Sequence, residues 1–249
     1  MTADGWTMAV RQRLGLGRVL PLGGPHDGAW ITESAARAAL RRTAASLRGV
    51  ALGPLRISLA DPEASPGSTE TAVPPPPSAL PPGPLRVTAD FAAFSGPAAE
   101  PIPVTAARLR TALSTTATER LGLTVTEIDL RVTHLLEDAV EEEEQPASPA
   151  PEPVPAAAPR PTGDDEESRV AAAALSVRGV SHLTSALGGP GRAVDIAPGP
   201  ALPRRHVRVE LAVTRERRVL DVARDVRRAV GEALPDRPSV AVLITAVGR

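Results

Sequence analysis

Hydrophobic positions along this 249-residue chain fall into two regions of ordered periodicity, separated by a stretch that has none. In the first region, Ala29-Trp30-Ile31 reads as a short strand, and Thr32 or Ser34 is placed to cap a helix. Ala36, Ala39, Leu40, Thr43, Ala44 and Leu47 follow at helical spacing, with Arg37, Arg41, Arg42 and Arg48 largely on other faces. Gly49 is expected to end this helix, because glycine takes the left-handed conformation with no Cβ clash. Leu55 to Leu59 alternates as a strand, and Leu85 to Phe94 reads as its partner. A second helix is predicted over 103–121, burying Ala106, Leu109, Leu113, Ala117 and Leu121 and ending at Gly122. A closing strand from Leu123 to His134 completes the order β-α-β-β-α-β.

The second region repeats most of this series. Its first helix carries Val170 to Val177 and ends in "SVRGV" (176–180), matching "SLRGV" (46–50). Leu183 to Ile196 reads as a weak pair of strands or a loop, and "VRVELAV" (207–213) alternates as a strand. An amphipathic helix then aligns Val219, Val222, Ala223, Val226, Ala229, Val230, Ala233 and Leu234 along one stripe. "SVAVLITAV" (239–247) is a continuous apolar run rich in β-branched residues, as a buried strand requires.

Two segments lack the pattern for packing. The stretch 61–84 is rich in Pro, Ser and Gly and is expected to be an extended, disordered loop. The stretch 137–167 holds eleven acids against one Arg. With its prolines, it buries too little apolar surface to offset the entropy of ordering, which reads as a linker. The expected fold class is α+β, in two small two-layer domains. Each would be a mixed or antiparallel sheet covered by two helices. The expected divisions are 1–27 (a short helix over Ala3 to Leu14, then a loop), a first domain at 28–136, the linker at 137–167 and a second domain at 168–249.

Charge sharpens the division. The net charge is −1, yet residues 168–249 carry fourteen arginines against seven acids. Arg204, Arg205, Arg208, Arg215, Arg217, Arg218, Arg224, Arg227 and Arg228 are the densest cluster and the candidate interaction surface. Glu210, Glu216, Asp221 and Asp225 interrupt it, and stacking aromatics are missing from this region, which argues against nucleic acid. Asp221 with Arg224 and Asp225 with Arg228 stand at i,i+3, the spacing of a solvated helix face. A contact to protein or acidic lipid is the functional reading of the same arginines.

Candidate chemistry is sparse. The chain has no Cys, Lys, Tyr or Asn, so thiolate sites, disulfides and amine nucleophiles are ruled out. His26, His134, His182 and His206 stand in no metal-ligand spacing, and no G-x-S-x-G elbow is present. "GLGRVLPLGG" (15–24) and "GGPGR" (188–192) lack the spacing of phosphate-binding loops. No catalytic residue, cofactor or metal is expected, and the chain is read as not an enzyme. No apolar run approaches the ~20 residues of a membrane span and no secretory leader is indicated, so a cytoplasmic protein is expected. Abundant Ala, Arg, Gly and Pro, all encoded by GC-rich codons, suggest a high-GC bacterial genome, such as an actinomycete's.

The stretch "GAWITESAARAALRRTAASLRGV" (28–50) resembles the opening of the alkaline shock protein family of envelope stress response proteins. "VRVELAV", "VLDVARDVRRAVGEAL" and "SVAVLITAV" resemble that family's strand, its helix (here Val222, Ala223, Val226, Arg227 and Val230) and its closing strand. The resemblance implies tandem divergent copies of a non-enzymatic interaction or scaffold protein linked to cell-envelope stress. It also implies protein partners, such as a small membrane anchor or a paralogue, that hold it at the inner face of the membrane. The competing expectation is a small-molecule-binding regulatory module, because β-α-β-β-α-β is also the ferredoxin-like order.

Overall fold

The computed structural model describes residues 15–62, 71, 73–76, 79–97, 99–137, 166–186, 193–197 and 205–248. The expected helix over Ala3 to Leu14 and most of the linker lie outside these residues. The fold is α+β, with two sheets and four α-helices among the described residues. Strands β1 (Val19–Leu22) and β2 (Ala29–Thr32) lead into helix α1 (Glu33–Ala45). Strands β3 (Val50–Leu59) and β4 (Leu85–Ser95), helix α2 (Ile102–Thr115), a π-helical turn (Thr116–Leu121) and strand β5 (Val125–Glu137) follow. The second half comprises helix α3 (Glu166–Leu175), strands β6 (Val180–Leu183), β7 (Val194–Ala197) and β8 (His206–Val213), helix α4 (Val219–Ala233) and strand β9 (Ser239–Val247).

Local chemistry explains the element ends. Thr32 caps α1 by accepting the Ala35 N–H at 3.3 Å, and Glu33 places a negative charge in the first turn. The helix ends at Ala45 and Gly49 follows in the turn at φ 77°, so this glycine starts the return to β3 rather than capping the helix itself. Gly179 repeats this at φ 100° before β6. The two turns agree further: the Ser46 hydroxyl donates to the Thr43 carbonyl and the Ser176 hydroxyl to the Ala173 carbonyl, each at 2.7 Å. In the π-helical turn, Thr118 donates to the Ser114 carbonyl at 2.8 Å, a back-bond that competes with the regular helical ladder.

Strand pairing departs from the expectation that each half closes its own sheet. β3, β4 and β5 form one sheet, antiparallel and then parallel. β8 likewise pairs antiparallel with β6 and β7 and parallel with β9. β2, the opening strand of the first half, lies parallel on the outer edge of β9, with Trp30 opposite Leu243. The resulting six-stranded sheet runs β1-β2-β9-β8-β6, with β7 also on β8. The reason is visible in the side chains. All four residues of β2 are buried, with Ile31 in the core that joins both halves and Trp30 against Val19, Val73, Ala241 and Leu243 on the opposite face. Part of the Pro-rich loop reaches that opposite face. Val73 is only 2% exposed, Ala79 bridges to Val19 and the Leu80 N–H donates to the Val19 carbonyl at 2.8 Å. Residues 63–70, 72, 77 and 78 of this stretch lie outside the described residues.

The halves share one apolar core, in which α1, α2, α3 and α4 contribute alongside both sheets. Polar ties reinforce the contact. Arg224 of α4 holds Asp27 through two guanidinium nitrogens, Nε and Nη2, at 2.8 and 3.1 Å, and Asp27 also accepts the Gly24 N–H at 2.8 Å. Burial pushes the Asp27 carboxyl up, but these hydrogen bonds and the charges of Arg224 and Arg227 outweigh it, and the net shift is downward. A carboxyl whose folded pKa is depressed adds stability above its unfolded value of about 3.9, and that stability is lost as pH falls through the folded value. Asp27→Asn should therefore melt several degrees below the native chain at pH 7, with the gap closing as the pH falls below about 3.9. Thermal melts from pH 7 down to 3 check this.

Candidate functional site

The arginines that dominate the sequence of the second half have separate destinations. Arg204 lies outside the described residues. Arg205 bridges Glu166 and Asp236, each at 2.7 Å, tying α3 to the turn after α4. Arg208 meets Asp195 across β7 and β8 at 3.0 Å. Arg218 donates to the Thr118 carbonyl at 3.0 Å, and Arg227 donates to the Val240 and His26 carbonyls. Arg228 holds Asp225 at 2.7 Å and Arg224 reaches Asp221 at 3.6 Å, the two i,i+3 pairs expected from spacing. Arg224, Arg227 and Arg228 line a shallow hollow with Arg237, yet Asp27 and Asp225 already pair two of them.

Arg215 and Arg217 reach a different place, a cleft of about 440 Å³ at the seam of the two halves. α1 supplies Ala39, Arg42, Thr43 and Ser46 to its wall. The end of α2 and the π-helical turn supply Ala112, Thr115, Thr116, Arg120 and Leu121. The connection from β8 to α4 adds Arg215, Arg217 and Val219, and β9 adds Val247. Four arginines thus line the cleft together with apolar Ala39, Ala112, Leu121, Val219 and Val247, three threonines and a serine. No carboxylate is among the described residues that line the cleft. Thr43 and Thr116 hydrogen-bond across it at 2.9 Å, and Arg42 donates to the Val247 carbonyl at 2.9 Å, which fixes α1 against β9. Arg217 is neutralised by Asp225 at 2.9 Å. Arg42, Arg120 and Arg215 have no ion pair among the described residues. Burial lowers the pKa of Arg42, and the like charge of Arg215 lowers it further.

Sequence patterning put Arg42 largely on a face other than the buried one of its helix and gave Arg120 no role, so neither was singled out. A helical spacing says which residues share a face of one helix but not which two helices meet.

A second feature lies on the three-stranded sheet. β5 is its edge, pairs only with β4 among the described residues, and is exposed from Arg131 to Leu136. Val132, Leu135 and Leu136 are 36%, 55% and 36% exposed. The first half and middle of β5 are stitched by cross-strand pairs, with Arg86 on Glu127 and Arg131 on Asp90 through two bonds of 3.0 Å.

The histidines are scattered. His206 shares a hydrogen bond of 2.9 Å with Ser239, and burial, then the charge of Arg208, lowers its pKa despite Asp195 nearby. His182 contacts Ser181 at 3.1 Å and His134 is exposed on β5. No group of three or more metal-ligating side chains comes together among the described residues. Among those residues, too, no helix is long and apolar enough to cross a membrane. No family model, curated protein or solved structure matches the chain.

Proposed function

We propose that the chain is a non-enzymatic interaction protein that binds a partner's strand along the outer edge of β5. The partner to which this reading commits is a second copy of the chain. The carrying observation is the 13-residue β5, which ends in exposed Val132, Leu135 and Leu136 and has an unpaired outer edge among the described residues. A long strand edge presents unmet backbone donors and acceptors and templates pairing with another chain.

An intramolecular precedent supports the mode. On this reading the sequence is a duplication of one α+β unit joined by the acidic linker, with β5 and β9 as equivalent closing strands. β9 already accepts a parallel strand, β2, from the other half. The sequence at the matching offset before α3, Pro159-Arg160-Pro161-Thr162, carries two prolines, which donate no ladder hydrogen bonds. An envelope-stress role, with a membrane-side anchor or paralogue as further partner, is what the resemblance to the alkaline shock protein family adds.

Sedimentation velocity of the full chain over a range of concentrations tests the reading. A reversible dimer is expected, and Leu135→Asp should abolish it while leaving the melting temperature of the monomer nearly unchanged, because the residue is exposed. A chain that stays monomeric at every concentration, or a dimer that Leu135→Asp leaves intact, overturns it.

A further inference from the structure

We infer that the cleft at the seam of the two halves is a binding site for a small ligand bearing a phosphate dianion or diphosphate, held by Arg42, Arg120 and Arg215. This goes beyond partner binding along β5 and does not depend on it.

Outside the cleft, arginines such as Arg41 and Arg56 also lack an ion pair among the described residues, but many are paired. Arg18 meets Glu33, Arg86 meets Glu127, Arg108 meets Glu100, Arg131 meets Asp90, Arg205 meets Glu166 and Asp236, and Arg224 meets Asp27. What sets the cleft apart is that it gathers arginines lacking an ion pair among the described residues in one wall. Three arginines from three separate elements converge on it without a carboxylate, although like charges held together oppose folding. Arg42 is partly buried on this wall, and after burial the like charge of Arg215 further disfavours its charged form. Bringing them together costs stability unless a bound anion offsets the repulsion.

The chemistry of the wall selects the anion. Guanidinium groups match the oxygen spacing of phosphate through paired N–H donors. Thr115 adds a hydroxyl to the same wall, while Ser46 already donates to the Thr43 carbonyl and Thr43 shares its hydrogen bond with Thr116. Three unneutralised cations call for at least two negative charges, which a phosphate ester carries near neutral pH. The cleft volume of about 440 Å³ suits a small metabolite-sized ligand. Its apolar lining, with Ala39, Leu121 and Val219, can take a short carbon body. No aromatic side chain lines it among the described residues, so no stacking platform for a base is built. The π-helical turn places Thr116 and Arg120 on this wall, and such turns recur at functional sites.

Titration calorimetry of the full chain with inorganic pyrophosphate is the test, with orthophosphate and citrate as parallel titrants at low and at physiological salt. Pyrophosphate should bind saturably at one site per chain, more weakly as salt rises, and raise the melting temperature. Arg42→Gln and Arg215→Gln should each weaken binding by about tenfold or more. Arg131→Gln, outside the cleft, and Leu135→Asp, at the β5 edge, should leave it unchanged. Without ligand, Arg215→Gln should melt at or above the native chain, because it relieves repulsion; a merely structural arginine would lower the melt. A tighter response to orthophosphate than to pyrophosphate would assign the site to a single phosphate group. Absence of pyrophosphate and orthophosphate binding overturns the proposal. Equal losses in Arg131→Gln, or citrate binding as tight as pyrophosphate, do the same, because they would reveal only diffuse attraction between charges.

Discussion

Val226→Asp should collapse the second half of the protein. Val226 is fully buried in the middle of α4, on the stripe that also carries Val219, Val222, Ala223 and Val230. A carboxylate there loses its water without gaining a cation, at a cost of several kcal/mol. A domain of this size has only ~5–15 kcal/mol of net stability to lose. The damage should spread beyond the helix, because α4 packs on β9, and β9 carries β2 from the first half. Far-ultraviolet circular dichroism should show loss of helix, and a melt should lose its cooperative transition. Asp225→Ala, one residue earlier, is the matched control. Its carboxylate faces outward to Arg217 at 2.9 Å and Arg228 at 2.7 Å, so removing it should cost about 1 kcal/mol or less. Similar melts for the two variants would show that the stripe does not face the core.

Gly122→Ala should rank next in effect, through backbone geometry rather than polarity. Gly122 closes the π-helical turn at φ 92°, a conformation that costs an L-residue roughly 1–2 kcal/mol. Its carbonyl also accepts the Gly23 N–H at 2.9 Å. A Cβ at this position would stand 2.5 Å from the Cβ of Leu220, which is 2% exposed and is the root of its side chain rather than a movable tip. Relief requires the π-helical turn to move away from α4, and such overpacking adds about 1–3 kcal/mol. The total expected loss is about 2–5 kcal/mol, read from the midpoint of urea denaturation. Gly231→Ala provides the contrast: a Cβ there meets nothing within 4 Å in the same α4, so the substitution should be neutral or mildly stabilising. Equal midpoint shifts would remove the steric argument.

The two variants probe different kinds of contact. Val226 tests whether a face read from periodicity is buried, and that face depends only on positions within one helix. Gly122 tests a contact between the two halves, and its severity follows from Leu220, a buried residue that the periodic stripe of α4 passed over. The cleft arginines belong with Gly122. Arg42, Arg120 and Arg215 come from α1, the π-helical turn and the connection after β8, and only the docking of those elements brings them to one wall.

By itself, the sequence determined the local elements of this protein and the faces they bury. The 3.6 and 2.0 periodicities of apolar side chains are set by backbone geometry within one helix or strand, so α1, α2, α4, β4, β8 and β9 were all legible from spacing. The turns "SLRGV" and "SVRGV" were legible for the same reason, since positive φ at Gly49 and Gly179 is a local demand. Tertiary structure alone decided which edge each strand joins. β2 is four residues long and wholly buried, and a short apolar strand satisfies its backbone on any open parallel edge. The choice of β9 rests on burial gained by Trp30 and Ile31 from residues more than two hundred positions away. That choice leaves β5 as an open edge and brings the halves together along the seam that holds the arginine cleft.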